Sequence, residues 1–189
     1  MKVAVFDRME EGTDAEVQRL LPLVSAQRRE QALRYKHTFG RFCCLKSWLM
    51  LYDLMDERMR GLMDEWSYNE HGKPFIEGAP YFSISHCMEG IAVAIDDTPV
   101  GIDIEGMRHA NEDLIERVMN AEERVGMDDR KFTRLWTQKE AIVKAEGTGI
   151  VSFEQLQSII GNRKSKIETF EKEKYIYSIA YGKLHCFSA

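Results

Sequence analysis

The sequence predicts an α+β chain, and three observations carry that reading. Phe42 to Met59 repeats apolar residues at helical spacing, and Trp136 to Glu146 reads as a helix closed by Gly147. Tyr81 to Cys87, Ile91 to Ile95 and Tyr175 to Phe187 are short runs of aromatic and β-branched residues, which read as strands. The hairpin at 81–95 and a second at 175–187 each follow a long helix. This faint internal repeat has no strict period, but it suits two similar half-domains with a site between them.

The elements follow in order. Residues 2 to 6 form a short strand, and Asp14 to Leu23 a weak helix broken near Pro22. Ser25 is the expected cap of the next helix, which carries Arg28, Arg29 and Arg34. With Lys36 and Arg41 these make a basic stretch, read as a solvated face with one or two phosphate contacts as the alternative. In the apolar helix 42–59, Phe42, Leu45, Trp48, Leu49, Tyr52 and Met55 form the core face. Lys46 interrupts it, either snorkelling or facing a ligand. Trp66 to Tyr68 is a strand, His71-Gly72-Lys73-Pro74 a turn, and Phe75-Ile76 extended chain. In the strand 81–87, Ser83, Ser85 and Cys87 face one side and Phe82, Ile84 and His86 the other. Glu112 to Met119 is a helix, Asn120 caps the next turn, and Phe153 to Ile159 is helical or irregular. Lys164 to Thr169 and Tyr175 to Phe187 are strands, with a hairpin turn at Gly182-Lys183.

Composition bounds the function. The 189 residues fit one domain or two small halves, and 44% hydrophobic content is enough to fold without staples. A net charge of -5 argues against a nucleic-acid surface. Cys43, Cys44, Cys87 and Cys186 form no CxxC pair, which disfavours a disulfide framework or zinc site and suits a reducing cytoplasm. The first seven residues are too short and too soon charged for a signal peptide, and no stretch is apolar enough to span a membrane.

Two segments carry chemistry. In the helix 136–146, capped at its start by Thr133, the residues Trp136, Glu140 and Lys144 are spaced by four and share a face. Glu140 and Lys144 are either a surface ion pair or a metal-binding carboxylate beside a phosphate-binding ammonium. In Val100-Gly101-Ile102-Asp103-Ile104-Glu105, a strand points Asp103 and Glu105 to one face and both isoleucines into the core. Two neighbouring carboxylates either face water at an edge or hold a magnesium ion, which takes hard oxygen ligands. His86, at a strand end beside a turn, is either structural or part of such a site.

Gly72-Lys73-Pro74, Phe82-Ser83-Ile84-Ser85-His86, Gly101-Ile102-Asp103-Ile104-Glu105, and Trp136-Thr137-Gln138-Lys139-Glu140 through Lys144 to Gly149 occur in this order. With these four pieces the chain resembles the 4'-phosphopantetheinyl transferases of the surfactin-synthetase-activating type, over roughly residues 25 to 150. The resemblance implies an α+β fold of two similar halves, about 1–95 and 96–189, with pseudo-twofold symmetry and coenzyme A in the cleft. It also implies a monomer, since smaller relatives with one such unit form trimers. The implied reaction moves the 4'-phosphopantetheine arm of coenzyme A to a serine of an apo acyl or peptidyl carrier protein. Adenosine 3',5'-bisphosphate is released with the help of magnesium.

The same resemblance implies residue roles. Asp103, Glu105 and Glu140 would hold the magnesium ion, and Lys144 a phosphate. His86 and Ser85 would contact a phosphate oxygen. Lys73 would meet the phosphates, with Gly72 and Pro74 shaping the adenine pocket. Arg28 would meet the 3'-phosphate, with Lys46 compensating for Gln31, which stands where a second basic residue is usual. Glu140 is the first choice of base for the serine proton, directly or through water, and Glu123 the second. The chain departs from the pattern at Ser83 (usually asparagine) and Cys87 (usually serine), and its tail after Gly149 is short. Two readings compete with a transferase: a non-catalytic coenzyme A-binding protein, and a magnesium-dependent hydrolase of nucleotides or pyrophosphates.

Overall fold

The computed structural model describes residues 1–162 and 165–182. Two three-stranded antiparallel sheets share one strand order. β1 (Lys2–Phe6) pairs with β5 (Gly90–Asp96), which pairs with β4 (Tyr81–Cys87). β6 (Val100–Gly106) pairs with β8 (Tyr175–Tyr181), which pairs with β7 (Lys166–Glu171). In each sheet the first strand in sequence therefore sits beside the second strand of a hairpin. β2 (Trp66–Tyr68) and β3 (Pro74–Ile76) form a separate small ribbon.

Helices fill the connections. α1 (Asp14–Leu20), α2 (Ala26–Leu33), α3 (Thr38–Leu54) and α4 (Glu57–Arg60) lie between β1 and β2. α5 (Glu112–Val118), α6 (Ala121–Arg124), α7 (Asp129–Glu146) and α8 (Phe153–Asn162) lie between β6 and β7. α3 packs Phe42, Leu45 and Leu51 with Phe82, Ile91 and Val93 in one core. α7 packs Phe132, Ala141 and Ile142 with Leu156 and Ile159 of α8 in another. A third core joins the sheets, with Ala92 and Ala94 of β5 against Val100, Ile102 and Ile104 of β6.

The join between β4 and β6 is made by side chains. Ser83 Oγ accepts the Ile102 N–H at 3.0 Å, so the serine face of β4 is turned onto β6 while Phe82 packs on Trp66 at 5.0 Å. On the face of β6 that carries Asp103, Gly101 admits α7. A Cβ built there would lie 2.0 Å from the Ala141 carbonyl oxygen and 2.4 Å from the Ala145 nitrogen. Glycine is thus what lets the helix bearing Glu140 and Lys144 sit directly on the strand bearing Asp103.

Several boundaries differ from expectation. α7 begins at Asp129, capped by Asp128, whose side chain accepts the Lys131 N–H. Thr133 is inside the helix and fully buried, donating to the Asp129 carbonyl and accepting the Arg108 N–H. A tertiary contact accounts for this threonine. The apolar helix stops at Leu54, and Asp56 caps a separate turn, so Met59 belongs to α4. The second hairpin runs through residues 172–174 between β7 and β8. Of the turn expected at Gly182-Lys183, Gly182 has a positive φ of 109°, whereas Lys183 lies outside the described residues, as do Lys164 and Phe187. Ser25 and Asn120 cap as expected, and Glu123 completes a capping box with Asn120. Gly147 closes α7 in the left-handed conformation at φ 73°.

Candidate functional site

The site lies where β4, β6 and α7 meet. Strand alternation brings Asp103 to the face of β6 opposite Ile102 and Ile104, toward α7. Asp103 is 3% exposed, which excludes the water-facing edge for this carboxylate. Lys144 Nζ lies 2.6 Å from Asp103 Oδ1 and donates to Ser85 Oγ at 3.0 Å. The Ser85 hydroxyl in turn donates to Asp103 Oδ1 at 2.8 Å. One oxygen of Asp103 is therefore doubly bonded, while Oδ2 is buried with no hydrogen-bond partner.

Glu105 and Glu140 lie near enough to Asp103 to feel its charge. Burial, followed by repulsion from Asp103, raises the pKa of both carboxyls. Lys144 and Arg108 pull the other way for each. Arg108 lies 3.6 Å from Glu105 and stacks over the Trp136 ring at 4.9 Å. Among the described residues, no three His, Cys, Asp or Glu side chains gather at metal-ligand geometry. A buried, unpartnered carboxylate oxygen with two more carboxylates close enough to shift each other's pKa is nonetheless a donor set that suits a hard divalent cation.

A cavity of about 300 Å³ opens beside this group. Gly72, Lys73 and Pro74 line it together with Glu140, Lys144, Gly147 and Gly149. The Lys73 ammonium donates to the Val100 and Ala145 carbonyls, both at 3.3 Å. The second is one of the last carbonyls of α7, which have no partner within the helix. Burial without a carboxylate partner lowers the pKa of Lys73 to about 8. His86 has an exposed edge and meets Phe39 edge-on at 6.1 Å. Desolvation by the protein around it, then Lys144, holds its pKa below the usual histidine range.

The structure thus brings together Ser85, Asp103, Glu105, Glu140, Lys144 and His86, with Gly72, Lys73 and Pro74 in the adjoining cavity wall. Three expected site residues stand apart. Arg28 is 7% exposed, stacked on Trp66 at 4.1 Å with one nitrogen donating to Cys44 Sγ at 3.5 Å. Lys46 places its ammonium over the Phe6 ring at 4.3 Å. Glu123 binds the fully buried Lys139 at 2.8 and 2.9 Å and accepts the Asn120 N–H. Its carboxylate serves a buried pair and a helix cap.

Sequence reasoning passed over Asn69, which bonds the 69–73 turn to Gly147. It also passed over Lys139, whose burial is explained by its contacts with Glu123 of α6 and the Leu156 carbonyl of α8. An asparagine three residues before Gly72 was the available signal for the first; the partners of Lys139 stand 16 and 17 residues away and were not visible locally.

A family model described as the 4'-phosphopantetheinyl transferase superfamily matches residues 99–186. The chain is 30% identical over 146 residues to the 4'-phosphopantetheinyl transferase ffp of Bacillus subtilis, covering 71% of this chain and 65% of that protein. It is 32% identical over 124 residues to the 4'-phosphopantetheinyl transferase gsp of Aneurinibacillus migulanus, covering 57% and 52%. With the 4'-phosphopantetheinyl transferase AcpT of Salmonella typhimurium it shares 37% over 113 residues, covering 53% and 58%. The chain thus spans between about half and just under two thirds of the length of these relatives.

Proposed function

We propose, from its similarity to the 4'-phosphopantetheinyl transferase superfamily, that the chain belongs to that family and transfers the phosphopantetheine arm of coenzyme A to a serine hydroxyl of an apo acyl or peptidyl carrier protein. The observation that carries this is the junction of the Ser85–Asp103–Lys144 network with a cavity of about 300 Å³ lined by Lys73, Glu140 and Lys144. In the reaction the serine oxygen forms a bond to the arm's phosphorus, and the pyrophosphate P–O bond breaks. Adenosine 3',5'-bisphosphate departs, and the serine proton goes to a base.

The residues fit these tasks. Asp103, Glu105 and Glu140 would hold a magnesium ion, which supplies charge neutralisation at the pyrophosphate oxygens when bound. Lys144 carries a flexible ammonium within reach of both the carboxylates and the cavity, suited to a phosphate oxygen. His86, largely neutral at pH 7, offers a ring N–H in a neighbouring pocket that it lines together with Glu105 and Arg108. Glu140 is the favoured base, because it lines the cavity one helical turn from Lys144, where the serine hydroxyl and the pyrophosphate would meet. Glu123 is disfavoured because Lys139 and Asn120 already occupy both of its oxygens. Gly72, Lys73 and Pro74 shape the nucleotide end.

We assign the coenzyme to the cleft between halves at about 1–95 and 96–189, a division supported by the repeated strand order. The same reading makes the chain a cytoplasmic monomer, with Cys43, Cys44 and Cys87 unpaired.

A mass spectrum of an apo carrier protein incubated with the chain, coenzyme A and magnesium tests the proposal. The expected result is a gain of one phosphopantetheine arm, lost without metal and with Glu140→Gln. No gain with several carriers, despite coenzyme A binding, would replace it with a non-catalytic coenzyme A-binding protein. Phosphopantetheine released into water would point to a hydrolase.

A further inference from the structure

We propose that Asn69 is a positioning residue that locks the 69–73 turn onto the C-terminal cap of α7 and so presets the nucleotide end of the cavity. The inference about substrate rests on the coenzyme A reading above; the lock itself does not. The Asn69 side chain makes three hydrogen bonds. Its Oδ1 accepts the His71 N–H at 3.0 Å and the Lys73 N–H at 2.8 Å, while Nδ2 donates to the Gly147 carbonyl at 2.8 Å. The backbone reinforces the same loop, with Asn69 N–H on the Lys73 carbonyl and Gly72 N–H on the Asn69 carbonyl.

The chemistry specifies the residue type. The position needs an acceptor for two amides and a donor for one carbonyl, which a short side-chain amide provides and a carboxylate does not. The network also fixes the amide's orientation, since the flipped form would face oxygen to oxygen at Gly147. The far partner is a helix end whose last carbonyls lack intrahelical donors. Asn69 satisfies the Gly147 carbonyl and Lys73 the Ala145 carbonyl, so one turn serves two groups at the end of α7. The two surfaces are in contact: a Cβ on Gly147 would meet Asn69 Nδ2 and Lys73 Cδ, both at 3.3 Å.

The link spans 78 residues of sequence and joins two segments that line one cavity. Gly72, Lys73 and Pro74 line that cavity from the turn, and Gly147 and Gly149 line it from the end of α7. Lys144 and Glu140, at the transfer end, are held by β6 and by α7 itself. Releasing Asn69 therefore loosens where the nucleotide sits and leaves the transfer end in place.

Hydrogen exchange and steady-state kinetics on the wild type, Asn69→Ala and Asn69→Asp test this. The alanine variant is expected to speed exchange at the His71 and Lys73 amides. It is also expected to raise the KM for coenzyme A about tenfold, with kcat within about twofold. The aspartate variant keeps both acceptors, loses the donor to Gly147 and sets a carboxylate oxygen against that carbonyl. It should leave His71 and Lys73 protected yet still raise KM. Unchanged exchange in the alanine variant overturns the lock. A lowered melting temperature with wild-type KM in both variants reduces Asn69 to a structural residue and overturns the positioning role. A wild-type chain that neither binds coenzyme A nor transfers its arm overturns the parent reading, and the exchange data then decide the lock alone.

Discussion

Lys144 of α7 and Asp103 of β6 form a 2.6 Å ion pair, and the Ser85 hydroxyl bonds to both partners. The pair neutralises one carboxylate of a crowded acidic group and leaves the buried Asp103 Oδ2 unpartnered. Lys144 thereby holds part of the negative charge that a divalent cation would meet.

Removing Lys144 should expose that relationship. Lys144→Ala leaves Asp103 buried without a counter-charge. Breaking a fully buried pair costs about 3–5 kcal/mol, but the Lys144 side chain is 29% exposed, so a loss of about 1–3 kcal/mol is expected in urea unfolding. Magnesium should restore part of that loss in the variant by giving Asp103 a replacement partner. An equal loss with and without magnesium would remove Asp103 from the metal assignment.

Lys139 poses a different test. Its ammonium is fully buried, with Glu123 at 2.8 Å and the Leu156 carbonyl at 2.5 Å, so it fastens α6 and α8 to α7. Lys139→Met leaves Glu123 unpaired and should cost about 3–5 kcal/mol, whereas pairing it with Glu123→Gln should recover much of the loss. If Glu123→Gln alone abolishes transfer while stability stays at the wild-type level, Glu123 is the base after all.

What could be read in advance was what local chemistry determines. Gly147 ends α7 because a left-handed residue is needed there, Asn120 caps because its side chain is a short acceptor, and Asp103 and Glu105 share a face because strands alternate. The misplaced features depend on distant partners. Thr133 offers a plausible cap, but its hydroxyl serves Arg108 from inside the helix. Arg28 reads as a surface cation, yet Trp66 covers its guanidinium from 38 residues away, a separation no periodic pattern reports. Asn69 lies in a stretch that reads only as a turn, because its most informative partner is 78 residues on.

Gly101 predicts a steric outcome. A Cβ at 2.0 Å from the Ala141 carbonyl oxygen cannot be relieved by a rotamer change, because the obstacle is helix backbone. Gly101→Ala should push α7 away from β6, destabilise by at least about 1–3 kcal/mol and separate Asp103 from Lys144. Denaturant unfolding measures the first effect and a crystal structure the second. A variant as stable as wild type would show that the close approach is not needed.

Lys73 sets a pH dependence. Burial lowers its pKa from 10.5 to about 8, so between those values the unfolded chain holds a proton that the folded chain has released. Folding stability from this group therefore rises with pH through that window, since the unfolded state binds more protons. Anion binding runs the opposite way, because the ammonium is lost as pH passes about 8. His71, Glu140 and Lys144 line the same cavity, so the profile needs a control that changes Lys73 alone. Lys73→Arg supplies it, because a guanidinium keeps its charge throughout. For the wild type, kcat/KM for coenzyme A reports the free enzyme and should fall above pH about 8. In the arginine variant that limb should flatten. A limb that persists unchanged would assign the titration to another group and leave Lys73 as a cap on α7 alone.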